Sequence, residues 1–146
     1  MKRVSSFSFL ALILFLLSSS VAFAQVQARI RIIEASNEGS SVDPTLRDVH
    51  GQLGSLFSFT SYRLLRDLNL GLIGNRPVEV SVHPGRSVEV TLIGEYKNLV
   101  ELRIRVKREG AFVLNTHVRL TSGRTILIGG PRHGEGTIIF GISARF

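Results

Sequence analysis

The stretch Leu99-Val100-Glu101-Leu102-Arg103-Ile104-Arg105-Val106-Lys107-Arg108-Glu109-Gly110-Ala111-Phe112-Val113-Leu114-Asn115-Thr116-His117-Val118-Arg119-Leu120 decides the fold class. In its first limb Val100, Leu102, Ile104 and Val106 alternate with Glu101, Arg103, Arg105 and Lys107. In the second, Phe112, Leu114, Thr116, Val118 and Leu120 alternate with Val113, Asn115, His117 and Arg119. A strict period of two puts one set on a buried face and the other in water, which is the signature of a half-buried strand. Arg108-Glu109-Gly110 between the limbs predicts a three-residue hairpin loop with glycine in the left-handed position. Pairing Lys107 with Ala111 then sets Leu102 opposite Thr116, Ile104 opposite Leu114 and His117 opposite Glu101, with both apolar sets on one face.

Working outward, the same period returns at Ala28, Ile30 and Ile32, at Val78, Val80 and Val82, and at Val88, Val90 and Leu92. Ser61 to Leu72 alternates too, interrupted at Leu65 and Arg66, and reads as a bulged strand. Thr125–Ile128 and Thr137–Phe146 complete the set, joined by a wide loop over Gly129-Gly130-Pro131-Arg132-His133-Gly134-Glu135-Gly136. One segment departs from the pattern. Leu46, Val49, Leu53, Leu56 and Phe57 recur at intervals of three and four after Asp43-Pro44, a good N-cap followed by a residue suited to the first helical turn. They predict a helix of three to four turns whose stripe packs on the sheet, because Gly51 and Gly54 would leave it marginal in water alone. The expectation is a mainly β protein with one helix: an antiparallel β-sandwich or partly open barrel of about eight strands, with the helix packed over the sheet.

The N-terminus has a different character. Lys2 and Arg3 precede the unbroken apolar run Phe9–Leu17, and Ala22-Phe23-Ala24 places small residues where a signal peptidase reads them. Nine residues span only about 14 Å as a helix, short of the roughly 30 Å hydrocarbon core. Residues 1–24 are therefore expected to be a cleaved signal peptide, and 25–146 a single β-rich domain, periplasmic, extracellular or associated with an outer membrane. Without Lys2 and Arg3, 16 basic residues of the chain's 18 face 11 acidic ones, an excess of 5 that is nearly all arginine. Arginine forks suit carboxylate, phosphate and sulfate groups, so an envelope protein or another anionic envelope component is the expected partner. Nucleic acid is not, since no basic run exceeds Lys107-Arg108 and no aromatic platform lies among the arginines.

The chemistry-bearing residues are sparse. With no cysteine, disulfides, thiolate zinc sites, iron–sulfur clusters and Cys nucleophiles are excluded. His50, His83, His117 and His133 show no metal-ligand spacing, so neither metal nor other cofactor is expected. Gly129 and Gly134 have the gap of a phosphate-binding loop, but Glu135-Gly136 replaces the required Lys and Ser or Thr, and a strand rather than a helix follows. No G-x-S-x-G occurs, and the serines have no recognisable His and Asp arrangement around them. An enzyme is not expected. The candidate anion or partner contacts are Arg103, Arg105, Lys107 and Arg119 on the polar face of the hairpin, and Arg132 and His133 in the Gly-rich loop.

Three resemblances bear on this. Leu120-Thr121-Ser122-Gly123-Arg124-Thr125-Ile126-Leu127-Ile128-Gly129-Gly130 resembles an L-x-x-G-x-T-x-x-x-G-G element of the β-domain of bacterial secretins, outer-membrane channels, and implies a strand-turn-strand over those residues. The layout as a whole is similar to that of small exported bacterial β-proteins of unknown function. Phe146, preceded at alternate positions by Ala144, Ile142, Phe140 and Ile138, resembles the C-terminal signal of outer-membrane barrel proteins. That implies an alternative, an outer-membrane barrel or barrel component, which short strands and few aromatics oppose. A loop-based hydrolase or sugar binder is a third reading, disfavoured by the absence of Trp and the presence of only Tyr62 and Tyr96 among the tyrosines.

Overall fold

The computed structural model describes residues 26–146; the expected signal peptide, 1–24, lies outside the described residues. Eight strands run β1 (Val26–Ser36), β2 (Ser61–Leu72), β3 (Val78–His83), β4 (Arg86–Glu95), β5 (Leu99–Arg108), β6 (Ala111–Thr121), β7 (Thr125–His133) and β8 (Gly136–Arg145). Between β1 and β2 lie a 3-10 turn, Pro44–Leu46, and helix α1, His50–Leu56. The strands form two antiparallel sheets, β2-β1-β8-β7 and β3-β4-β5-β6. Followed round the two sheets, the strands come in chain order and return to β1, with the ladder broken between β2 and β3 and between β6 and β7. The result is a meander folded into a sandwich rather than a closed barrel.

The period-two patterning explains where the core sits. Ala28, Ile30 and Ile32 of β1, Val88, Val90 and Leu92 of β4, Leu102, Ile104 and Val106 of β5 and Ile138, Phe140 and Ile142 of β8 point between the sheets and are fully buried. Outward positions are largely polar, except where the helical segment covers them. There Leu46, Val49 and Leu53 pack with Ile33, Ala35, Tyr62 and Ile139 into a second, smaller core on the outer face of the first sheet. The bulge expected in β2 is present: Ile32 faces Arg66 and Ile33 faces Leu64, so Leu65 is the extra residue.

Three local expectations need correction. The β5–β6 loop is a two-residue turn, with Arg108 opposite Ala111 and both Glu109 (φ 51°) and Gly110 (φ 81°) left-handed, as a type I′ turn requires. A bulge at Val113 then moves the register again, so that Leu102 faces Val118 and Ile104 faces Thr116. Each change shifts the pairing by one residue; together they restore parity, and the apolar faces stay as the pattern predicts.

The helix is not one of three to four turns. Asp43 does act as a cap, but of the 3-10 turn, accepting from the Thr45 backbone N–H at 3.0 Å and from its hydroxyl at 2.7 Å, whereas α1 has no side-chain cap. The chain nevertheless leaves helical geometry at Val49 (φ −114°, ψ 2°) before α1 begins. This break lies beside Asp48, whose carboxylate reaches down to Arg31 of β1. Finally, the wide Gly-rich loop is mostly strand. β7 continues to His133 and only Gly134-Glu135 turns. The ladder is irregular between Gly129 and Arg132, and Pro131, which has no N–H to contribute, lies in that irregular stretch. Gly130 lies against Phe140, whose ring would be 2.6 Å from a Cβ there.

Candidate functional sites on the sandwich surface

The outward face of β3-β4-β5-β6 carries the basic ladder. Arg103, Arg105 and Lys107 project from alternate positions of β5, and Asn115, His117 and Arg119 from β6. The structure thus brings together the four residues named from the sequence, but most of their charge is already engaged. Arg105 donates to Glu89 Oε1 through Nε at 2.9 Å and through Nη2 at 2.5 Å, and its guanidinium lies 4.1 Å from the centre of the Phe112 ring. The Glu89 side chain is only 8% exposed, so this pair is partly desolvated. Lys107 lies 3.6 Å from Glu79 Oε2. The Ser87 hydroxyl, donating at 2.7 Å, and that ammonium hold the Glu79 carboxyl below its ordinary value. Arg119 Nε sits 3.9 Å from Glu101 Oε2. His117 lies opposite Arg103 rather than Glu101, which its Nδ1 still approaches diagonally at 3.6 Å.

Arg103 is the exception. Among the described residues it has no carboxylate within ion-pair distance, and its Nε is buried without a hydrogen-bond partner. Directly opposite on β4, the Thr91 hydroxyl is also buried and unpartnered, in a residue 2% exposed. Two unpartnered polar atoms on one cross-strand pair, each closed off from solvent, lie in the middle of this face, where Arg103 alone of the four cations has no carboxylate neighbour.

Arg132 and His133 lie elsewhere, at the end of the sandwich where the β3–β4, β5–β6 and β7–β8 turns meet. They do not join the basic ladder. His133 Nε2 is 3.4 Å from Glu34 Oε2, its Nδ1 is 3.2 Å from Arg86 Nη1, and its ring stands edge-on to that of His83 with centres 5.2 Å apart. Arg86 also donates to the Arg132 carbonyl at 2.8 Å. A cleft of about 320 Å³ opens there between His83, Arg86, Arg108, Glu109 and His133. Among the described residues no group of three or more His, Asp or Glu side chains is placed to hold a metal ion.

A concavity of about 820 Å³ had no warning in the sequence. It lies on the outer face of the first sheet, where the helical segment stops and leaves a wall. Gln27 and Arg29 of β1, Asp67 and Asn69 of β2, Thr125 of β7 and Ser143 of β8 line it. Arg29 forks onto both Asp67 oxygens, at 2.8 and 2.6 Å, and so lowers the Asp67 pKa. These residues were visible only as polar members of alternating strands. The pairing of β1 with β8 and the wall built by α1 are what gather them. Of the two arginines that line the groove, Arg29 is already neutralised by a carboxylate, whereas Arg145 is exposed at its rim with no ion-pair partner among the described residues.

Among known protein families, curated proteins and solved structures, none matches this chain.

Proposed function

We propose that the protein is an exported, non-enzymatic binding module of the cell envelope that engages the acidic face of a partner protein through the outward face of β3-β4-β5-β6. The observation that carries this is the cross-strand pair Thr91 and Arg103, whose buried polar atoms lack partners while the neighbouring cations have theirs. A carboxylate arriving over Arg103 would meet a guanidinium with no carboxylate of its own among the described residues, so no existing ion pair need be broken to make the contact. The face is also broad and shallow. Four strands of 6 to 11 residues present roughly 600 Å², approaching the roughly 800 Å² that each partner contributes to a standard protein interface. Such a surface suits a protein better than a small ligand.

The strand polarity supports a domain that folds in water. Its interior is apolar and its outer faces carry Arg29, Asp67, Glu89, Glu101 and Arg105, the reverse of the apolar exterior and polar lumen of a membrane-spanning barrel. No helix among the described residues is long and apolar enough to cross a membrane. The leader-like start of the sequence supports export, and nothing else in this reading depends on it.

The test uses poly-L-glutamate as an acidic probe at low ionic strength, with affinity followed by titration calorimetry. Arg103→Glu should weaken binding about tenfold while leaving the melting midpoint nearly unchanged, since no folded-state partner is lost. Arg132→Glu, at the far end, should leave binding intact. Arg105→Glu is unsuitable because it would strand Glu89 in a partly buried site. Equal affinity of the wild type and Arg103→Glu would remove this face as the binding site.

A further inference from the structure

The end of the sandwich opposite the His83 and His133 cluster differs in character. The meander brings four segments to it: the β2–β3 loop at 73–77, the β4–β5 turn at 96–98, the β6–β7 turn at 122–124 and the exit of β8 at Arg145-Phe146. β1 begins there too, since Val26 pairs with Leu72 and Gln27 with both Gly71 and Arg145. Three large apolar side chains are exposed at this end: Ile73 is 40% exposed, Tyr96, whose ring lies back over Gly94, 58%, and Phe146 46%. Strand and sheet spacings of about 5 and 10 Å place them within roughly 20 Å of one another.

The charges around them are one-sided. Arg76, Lys97, Arg124 and Arg145 are exposed, and among the described residues none has an ion-pair partner. Of the acidic side chains nearby, Asp67 is engaged by Arg29 and Glu101 by His117 and Arg119, which leaves Glu95 exposed beside the four cations. At the opposite end Arg86, Arg108 and Arg132 are accompanied by Glu34, Glu38, Glu109 and Glu135, so no comparable excess arises. The turns that carry the apolar residues are also held in place. The Asn75 N–H donates to the Leu92 carbonyl at 2.8 Å, Tyr96 N–H to the Leu99 carbonyl at 2.8 Å, and Gly123 N–H to the Ala144 carbonyl at 2.9 Å.

We propose that this end docks on an anionic lipid surface, with Ile73, Tyr96 and Phe146 entering the headgroup boundary and Arg76, Lys97, Arg124 and Arg145 meeting lipid phosphates. An apolar tip ringed by unpaired cations matches the two attractions of such an interface, burial of apolar area and charge attraction to anionic headgroups. Tyrosine and phenylalanine are suited to that depth because of their size and, for tyrosine, its polar tip. The surface is separate from the face around Arg103, and the proposal does not rest on that reading.

The chain contains no tryptophan, so one introduced residue is an unambiguous reporter. In the full chain, Tyr96→Trp should shift to shorter emission wavelength on adding phosphatidylglycerol vesicles and be quenched by lipids brominated near the headgroup. Ser40→Trp, exposed just beyond β1 at the opposite end and off the basic face, should do neither. Neutralising Arg76, Lys97 and Arg124 to Gln in the Tyr96→Trp background should raise the lipid concentration needed for the half-maximal shift about a hundredfold. Phosphatidylcholine vesicles should give no shift. The proposal fails if Tyr96→Trp emission is unchanged by anionic vesicles, if Ser40→Trp responds equally, or if the triple substitution has no effect.

Discussion

The Arg31 guanidinium, its side chain 3% exposed, is held by both carboxylate oxygens of Asp48, each at 2.8 Å, across the seam between β1 and the helical segment. Asp48 itself is half-exposed. The pair is therefore a clasp with one end sunk in the protein, and it fixes the break between the 3-10 turn and α1 that sequence periodicity did not foresee.

Asp48→Ala should lower stability by about 1–3 kcal/mol, because it leaves a buried guanidinium without its acceptors rather than merely removing a surface charge. Denaturant melts measure it. A loss under about 0.5 kcal/mol, the usual range for surface substitutions, would mean that Arg31 finds another partner or water.

Acid should loosen the same seam. Asp48 and Asp67 are held below the ordinary value of 3.8, chiefly by hydrogen bonds from Arg31 and Arg29 respectively. Their folded forms bind fewer protons than the unfolded chain in the window below 3.8, so stability there rises with pH. The contribution is present above about pH 4 and lost as pH falls through the lowered folded values. Thermal melts from about pH 6 down to pH 2 should show a decline confined to the acid side, and Asp67→Asn should make it shallower. Identical acid slopes for wild type and Asp67→Asn would contradict the assignment.

The second core should be as sensitive as a main core. Leu53 is fully buried, and its carbonyl lies 3.2 Å from the Tyr62 hydroxyl, which also sits 3.2 Å from the Phe57 carbonyl. Leu53→Ala is expected to cost about 2–5 kcal/mol and Tyr62→Phe about 1 kcal/mol. Leu56→Ala, one turn along but 61% exposed, should cost well under 1 kcal/mol. Equal effects at Leu53 and Leu56 in urea melts would show that α1 is not docked as described.

Two glycines should respond in opposite directions. A Cβ on Gly136 would lie 2.1 Å from the Ala35 carbonyl oxygen, a backbone atom that cannot move without disturbing the β1–β8 ladder. Gly51 within α1 has open space around it. Gly136→Ala should therefore destabilise by more than about 1 kcal/mol, and Gly51→Ala should stabilise by about 0.5–1 kcal/mol through helix propensity. The two melting midpoints, measured against wild type, check both signs.

The sequence by itself determined which residues face inward. A period of two survives any register change of two, so the apolar sets of β5 and β6 met as expected although a tighter turn and a bulge at Val113 each moved the pairing. The eight strands, the bulge at Leu65 and the Asp43 cap were legible for similar reasons, since turn residues, interrupted alternation and capping chemistry act over a few neighbours. Tertiary structure alone decided which charges are spent. Arg103 and Arg105 look identical along the chain, yet β4 places Glu89 opposite Arg105 and Thr91 opposite Arg103, so one cation is paired and the other is not. It also decided that β1 and β8, at the two ends of the described chain, lie side by side, and that the helical segment covers only part of their outer face, leaving a groove below it. Such outcomes depend on contacts between residues far apart in sequence, and local propensity carries no record of them.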